Sequence, residues 1–300
     1  MGFSQHQSFY IRYKWITKAL KSIELDEGKF FNDNNNYLKL GIGKNMFTSM
    51  KYWVFATKLA EKSTNNCYKL TELGNIIKKY DINCLKNDTF SIMHYNICSD
   101  TKNSETWYWF FNVLKSNVIT KDSLINSLLP SWVESQGKKV SPKSLKRDIE
   151  CLIQFYTVSE NPHDPEDTIF SEFSKLGLVQ EIRMPDGNRA IKKTRSSVEK
   201  IGINALMYVL LDYCANNNQY IISVDDILNG YNLWGKIFNF DKQTSMEALN
   251  ILSLQKENPI IFNRTSNLDT IQCPKIDPLS FLRDRYKKEE EYENSIQIQH

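Results

Sequence analysis

Apolar residues recur every three or four positions over residues 9–20, where Phe9, Tyr13, Ile16 and Leu20 share one face, and this spacing predicts a helix. Asn34, Asn35 and Asn36 mark a loop. Gly41, Ile42 and Gly43 then lead into a predicted helix over residues 44–62. Its apolar stripe is Met46, Met50, Trp53, Val54 and Ala60, while Lys44, Lys51 and Lys58, seven residues apart, share the opposite side. Cys67, Tyr68, Lys69 and Leu70 read as a short strand, and Thr71 is placed to cap the next helix.

A second stretch runs over residues 104–195. Trp107, Trp109, Phe110 and Phe111 sit in an aromatic-rich helix over 105–114, and Thr120 caps a helix that reaches Glu134. Ser141 followed by Pro142 is a strong start signal, a hydroxyl cap and then a proline in the first turn. The helix it opens, over 143–156, buries Leu145, Ile149, Leu152, Ile153 and Tyr156 and exposes Lys143, Lys146 and Arg147. The runs 178–183 and 188–193 flank Pro185, Asp186 and Gly187, which is a hairpin signal. That hairpin is basic, with Arg183, Arg189, Lys192, Lys193 and Arg195 against Asp186.

The third stretch repeats the order. Residues 205–214 are apolar on nearly all sides, Ser223 caps a short helix over 224–231, and Asp241 caps one over 244–254. Ile260, Ile261 and Phe262 pair with Thr270, Ile271 and Gln272 around a turn over 263–269. In the final stretch, 281–298, Arg283, Arg285, Lys287 and Lys288 precede Glu289, Glu290, Glu291 and Glu293. Basic before acidic is the weaker order for helix pairs, so this stretch reads as a solvated helix or fraying tail.

These patterns predict a mainly α chain with small β wings, built from tandem winged helix-turn-helix-like units. The expected units are 1–100, 101–198 with the basic hairpin, and 199–300 with the charged tail. The plainer alternative is a helical bundle with surface strands. Element order repeats, but residues do not, so this is no solenoid.

Composition narrows the picture without deciding it. The 300 residues exceed what one small core needs, and the net charge of +3 is too mild to announce a nucleic-acid binder by itself. No run approaches eighteen apolar residues, and the start lacks a basic-then-apolar signal, so the expectation is a cytoplasmic protein with no membrane partner. Cys67, Cys84, Cys98, Cys151, Cys214 and Cys273 are scattered and suggest free thiols rather than a zinc site.

Gly41, Gly43 and Lys44 invite comparison with a phosphate loop, but Leu38 stands where the first glycine belongs and Asn45 where Ser or Thr belongs. A weaker site for a DNA phosphate survives at that helix start, as does a simple need for glycines in a tight turn. Lys143, Lys146 and Arg147 lie where a recognition helix reaches the major groove, and the basic hairpin lies where a wing meets the backbone or minor groove. His163 sits in an acidic loop with Asp164, Glu166 and Asp167, and His300 is terminal. His94, in an apolar helix, reads first as a core histidine and second as a catalytic one. His6, with Arg12 nearby in sequence, is the other candidate.

Several strings together resemble one family. Gln5-His6-Gln7-Ser8-Phe9 with Arg12 and Trp15, Leu40-Gly41-Ile42-Gly43-Lys44-Asn45-Met46 with Tyr52-Trp53, Leu70-Thr71 with Leu73-Gly74, His94-Tyr95 and Trp107-Tyr108 are similar to the SspB family. The family's start tends to read Gly-His-Glu-Thr-Phe, so a glycine and an acid are replaced here by Gln5 and Gln7. The resemblance implies a DNA-binding, DNA-nicking component of a bacterial system that places phosphorothioate sulfur on one DNA strand. It implies as partners DNA, a cysteine desulfurase, an ATPase and an ATP-pyrophosphatase, and a magnesium or manganese ion if the chain nicks. His6, Arg12 and His94 are the candidate catalytic residues, and no metal ligand is assigned. The alternatives are a winged-helix regulator without catalysis and a winged-helix protein adaptor.

Overall fold

Side-chain caps start the helices where the sequence marks them. The Thr71 hydroxyl accepts the Gly74 N–H at 3.0 Å and opens the helix Glu72–Tyr80. Ser141 accepts the Ser144 N–H at 3.2 Å, with Pro142 in the first turn of Pro142–Tyr156. Ser223 and Asp241 do the same for Val224–Asn229 and Lys242–Ser253. Thr120 caps a helical run over 121–135 whose middle, Leu124–Leu128, widens into a π turn. Pro130 accounts for the widening: it has no N–H, and its ring would meet the carbonyl of Asn126 in a regular helix.

The computed structural model describes residues 2–12, 14–63, 66–158, 171–264 and 269–297, with the side chains of 296 and 297 left aside. Tyr13, the acidic stretch with His163, Asp164, Glu166 and Asp167, the hairpin tip 265–268 and His300 lie outside the described residues. The fold is mainly α with small antiparallel sheets. β1 (Ala60–Lys62) and β2 (Tyr68–Leu70) form a hairpin. β3 (Val118–Thr120), β4 (Val179–Arg183) and β5 (Arg189–Lys193) form a sheet of order β3-β5-β4. β6 (Ile221–Ser223), β7 (Ile261–Arg264) and β8 (Asp269–Gln272) repeat it as β6-β8-β7. In both, the chain runs strand, helices, hairpin, and the first strand joins the second strand of the hairpin. Ile119 faces Ile191 in one sheet and Ile222 faces Ile271 in the other, and all four are buried. Paired isoleucines at equivalent positions therefore tie each hairpin to its helices.

The core is continuous from Phe3 to Tyr286. Trp53 lies 5.2 Å from Trp107 and 5.0 Å from Phe155, so helices from the first two stretches share one aromatic cluster. Ile203–Asn217 is buried along most of its length, as its composition predicts.

Two expectations are corrected. The helix from Lys44 ends at Ala56 rather than at residue 62. The Thr57 hydroxyl donates back to the Trp53 carbonyl at 2.8 Å, and Lys58 takes φ 57°, which turns the chain into β1. The charged last stretch is not a loose tail: Pro278–Gln297 is a helix that buries Phe281, Leu282 and Tyr286. Arg283 bonds to Glu72, and Lys86 reaches Glu289 at 2.8 Å, so its charges hold it to the first stretch.

Candidate nucleic-acid interface

The helix Pro142–Tyr156 has two unlike faces. Leu145, Asp148, Ile149 and Leu152 point inward, and Lys143, Lys146 and Arg147 are exposed. Glu150, one turn further on, is taken by Lys121 at 3.4 Å. Among the described residues no carboxylate pairs with the three cations. Positive charge at a helix N-terminus works against the helix dipole. An anion laid across this end would relieve both the dipole and the mutual repulsion of the cations.

The hairpin's cations do not form one surface. Arg183 and Arg189 are direct cross-strand partners, an unfavourable like-charge placement relieved in part by Glu181, 3.3 Å from Arg189. Lys192 lies on the opposite face of the sheet, beside Gln180. Lys193 turns inward: its Nζ donates to the Leu114 carbonyl at 2.6 Å and lies 5.0 Å from the Phe110 ring centre. Burial, helped by the charge of Lys236, lowers its pKa to about 7. Arg195 pairs with Asp241 at 2.9 Å. Arg183 and Lys192 are thus the exposed hairpin cations without an ion pair among the described residues, while Arg189 and Arg195 are exposed but each pairs with a carboxylate.

In the first stretch, Lys44 is exposed at the start of its helix. Lys51 is not its neighbour in a basic row, because its Nζ donates to the Phe31 carbonyl at 3.1 Å and lies 4.5 Å from the Tyr68 ring centre. Lys58 stands beyond the helix end. Gly41 adopts φ 64° and closes the preceding turn, whereas Gly43 has φ −72°, and a Cβ there would meet only Met46, at ordinary contact distance.

The histidines are interior groups. His94 is fully buried, its Nδ1 paired with the Tyr156 hydroxyl at 2.7 Å and its Nε2 with the Ile237 carbonyl at 2.8 Å. Nε2 therefore carries the proton, Nδ1 accepts from Tyr156, and burial lowers the ring's pKa to about 4. This is the core histidine of the two readings. His6 Nε2 meets Asp148 Oδ1 at 2.8 Å, with both side chains about 1% exposed. Trp53 stacks on the ring and Trp107 meets it edge-on. Asp148 also accepts from the Ser4 N–H and from the Thr106 hydroxyl, each at 2.8 Å. Among the described residues, His6 Nδ1 and Arg12 Nε are buried without a hydrogen-bond partner. The Arg12 guanidinium stands 5.4 Å from the Phe9 ring centre.

Asp148 and Thr106 were missed in the sequence. The signal was present: a carboxylate three residues after Leu145 and four before Leu152 falls on the buried stripe and needs a buried partner. No three His, Cys, Asp or Glu side chains converge among the described residues. No helix among them is long and apolar enough to cross a membrane.

Comparison with known proteins agrees with this architecture. A family described as "Protein of unknown function (DUF4007)" matches residues 3–286. "Magnesium ion-bound SspB crystal structure" superposes with a TM-score of 0.84 at 19% identity, covering 95% of this chain and 88% of that one. "SspB crystal structure" gives 0.82 at 20% identity, covering 96% and 87%. No curated protein matches. The chain has the fold of those SspB structures, as the N-terminal strings implied.

Proposed function

We propose that this chain, which belongs to the DUF4007 family, is a DNA-binding component of a single-strand phosphorothioate modification system. The observation that carries the reading is the exposed trio Lys143, Lys146 and Arg147 at the start of Pro142–Tyr156, which has no carboxylate partner among the described residues. That helix stands third in an order of strand, helix, helix and hairpin. We read the two repeated units as winged helix-turn-helix modules, in which that helix enters the major groove. Arg183, Arg189 and Lys192 then lie along the backbone, and Lys44 with the free N–H groups of its helix start offers a further phosphate contact. The family resemblance adds the partners: a desulfurase, an ATPase and an ATP-pyrophosphatase acting in the cytoplasm.

Nicking is the finer part of the reading and rests on the same resemblance. A second reading, DNA binding without cleavage, is favoured by the burial of His6 and His94, whose rings face protein on all sides. One experiment separates them. Purified protein is incubated with supercoiled plasmid, with and without magnesium or manganese, and binding to the same DNA is measured at several salt concentrations. Open-circle product supports nicking. Salt-sensitive binding without nicking supports the second reading. Absence of both overturns the proposal.

A further inference from the structure

A cleft of about 720 Å³ opens between β5 and the short helix Trp234–Ile237, and its lining does not include Lys143, Lys146 or Arg147. Its size falls within the range of small-ligand sites. Lys115, Lys193, Arg195, Lys236, Asn239 and Asp241 are among its lining residues. Asp241 is taken by Arg195 at 2.9 Å, which leaves Lys115, Lys193 and Lys236 without a carboxylate among the described residues.

Lys193 is the unusual group. It is a mostly buried lysine bonded to a backbone carbonyl, and a second lysine, Lys236, is near enough to repel it. A buried cation normally has a counter-charge, because removing it from water is expensive. One ammonium hydrogen goes to Leu114, and two remain for another acceptor. The Asn239 amide is fixed by its two bonds to the Leu178 and Thr194 carbonyls, both 2.9 Å. The lysines therefore stand on a rigid wall.

We infer that this cleft binds the phosphate group of a nucleotide, with Lys193 at its floor and Lys236 and Lys115 closing on the anion. Compact ammonium groups with several free donors suit a phosphate carrying two charges. Nearby anionic oxygens would also hold Lys193 protonated, against the burial that lowers its pKa to about 7. The inference does not depend on DNA binding at the Pro142–Tyr156 helix, and the two are measured separately.

The test is calorimetric titration of the full chain with pyrophosphate, ATP and a 5′-phosphorylated single-stranded oligonucleotide, at constant ionic strength in potassium chloride. We expect saturable binding of pyrophosphate, weakened at least tenfold by Lys193→Met and several-fold by Lys236→Ala. Lys193→Met keeps the apolar stem, and Lys236→Ala keeps the assay readable if that variant fails to fold. Preference for ATP points to a free nucleotide, and preference for the phosphorylated over the unphosphorylated oligonucleotide to a strand end. Either supports the site. Absence of phosphate binding overturns it, as does binding unchanged in both variants. Binding of poly-glutamate alone, lost in Lys236→Ala, also overturns it in favour of an acidic protein partner.

Discussion

His6 and Asp148, 142 positions apart in sequence, meet at 2.8 Å and are both about 1% exposed. The N-terminal segment is thereby fastened to the inner face of Pro142–Tyr156. Asp148 directly follows Arg147, so the residue that anchors the helix and the last of its three cations are neighbours in the chain. Successive helical residues point about 100° apart. Fixing Asp148 inward therefore fixes the direction in which Lys143, Lys146 and Arg147 face solvent. Stability and the proposed DNA contact meet at this one helix.

Asp148→Ala should be strongly destabilising. It leaves the Ser4 N–H, His6 Nε2 and the Thr106 hydroxyl without their acceptor in a site closed to water. Breaking a buried pair in this way costs about 3–5 kcal/mol. Denaturant melting measures it, and an unchanged midpoint would show that the pair does not fasten the segment.

Lys143→Ala, Lys146→Ala and Arg147→Ala combined should leave folding within about 0.5 kcal/mol, as for most exposed changes. DNA affinity should fall, and the salt slope should flatten by up to about three units, roughly 0.9 per lost phosphate contact. Titration of duplex DNA at four salt concentrations reads both. An unaltered slope removes this helix from the interface.

Two glycines make opposite predictions. Gly202 has φ 90°, and a Cβ there would collide with Asp88 Oδ1, where that carboxylate accepts the Ala205 N–H. Gly202→Ala should lower the melting temperature clearly. Gly43 has φ −72°, and its nearest neighbour would be Met46 Sδ at 3.7 Å. Gly43→Ala should melt like the wild-type protein, so reduced DNA affinity in that variant would report close approach of a phosphate to the Lys44 helix start. Normal affinity leaves Gly43 a plain turn residue.

Local chemistry made much of the fold legible. Ser141 with Pro142, Asp241, and Asp186 with Gly187 each act within a few residues, and each does what its neighbours dictate. β3 and β6 were not legible, because three residues are too few to show alternation and their partners lie far along the chain. The last stretch was legible as a helix, but its docking was not, because its charges outnumber Phe281, Leu282 and Tyr286, which carry that docking. For the candidate site, Lys143, Lys146 and Arg147 were legible as an exposed helical face. Lys192 and Lys193 were grouped although adjacent strand residues must face opposite ways. That rule separates the exposed Lys192 from the inward-turned Lys193, although both line the cleft beside Trp234–Ile237. The pairing of His6 with Asp148 needed the tertiary fold.

His94 gives the chain a specific acid sensitivity. Its folded pKa is lowered to about 4 by burial, against 6.5 for a free histidine. Below about pH 6.5 the unfolded chain takes up a proton at this position and the folded chain does not, so stability is lost as pH falls from about 6.5 to 4. The full loss is roughly 3 kcal/mol, at 1.36 kcal/mol per pKa unit. Asp88 works in the other direction: burial raises its pKa to about 6, so acid favours the folded form there over part of the same range. The wild-type curve alone is therefore flattened. A non-titrating variant isolates the histidine. His94→Gln keeps an acceptor for the Tyr156 hydroxyl and a donor for the Ile237 carbonyl, and it carries the same Asp88. Denaturant melts of both proteins at pH 7.5, 6, 5 and 4.5 should show the wild type losing stability relative to His94→Gln as pH falls. Parallel curves would mean that the ring titrates normally in the folded protein and that its two hydrogen bonds do not hold it neutral.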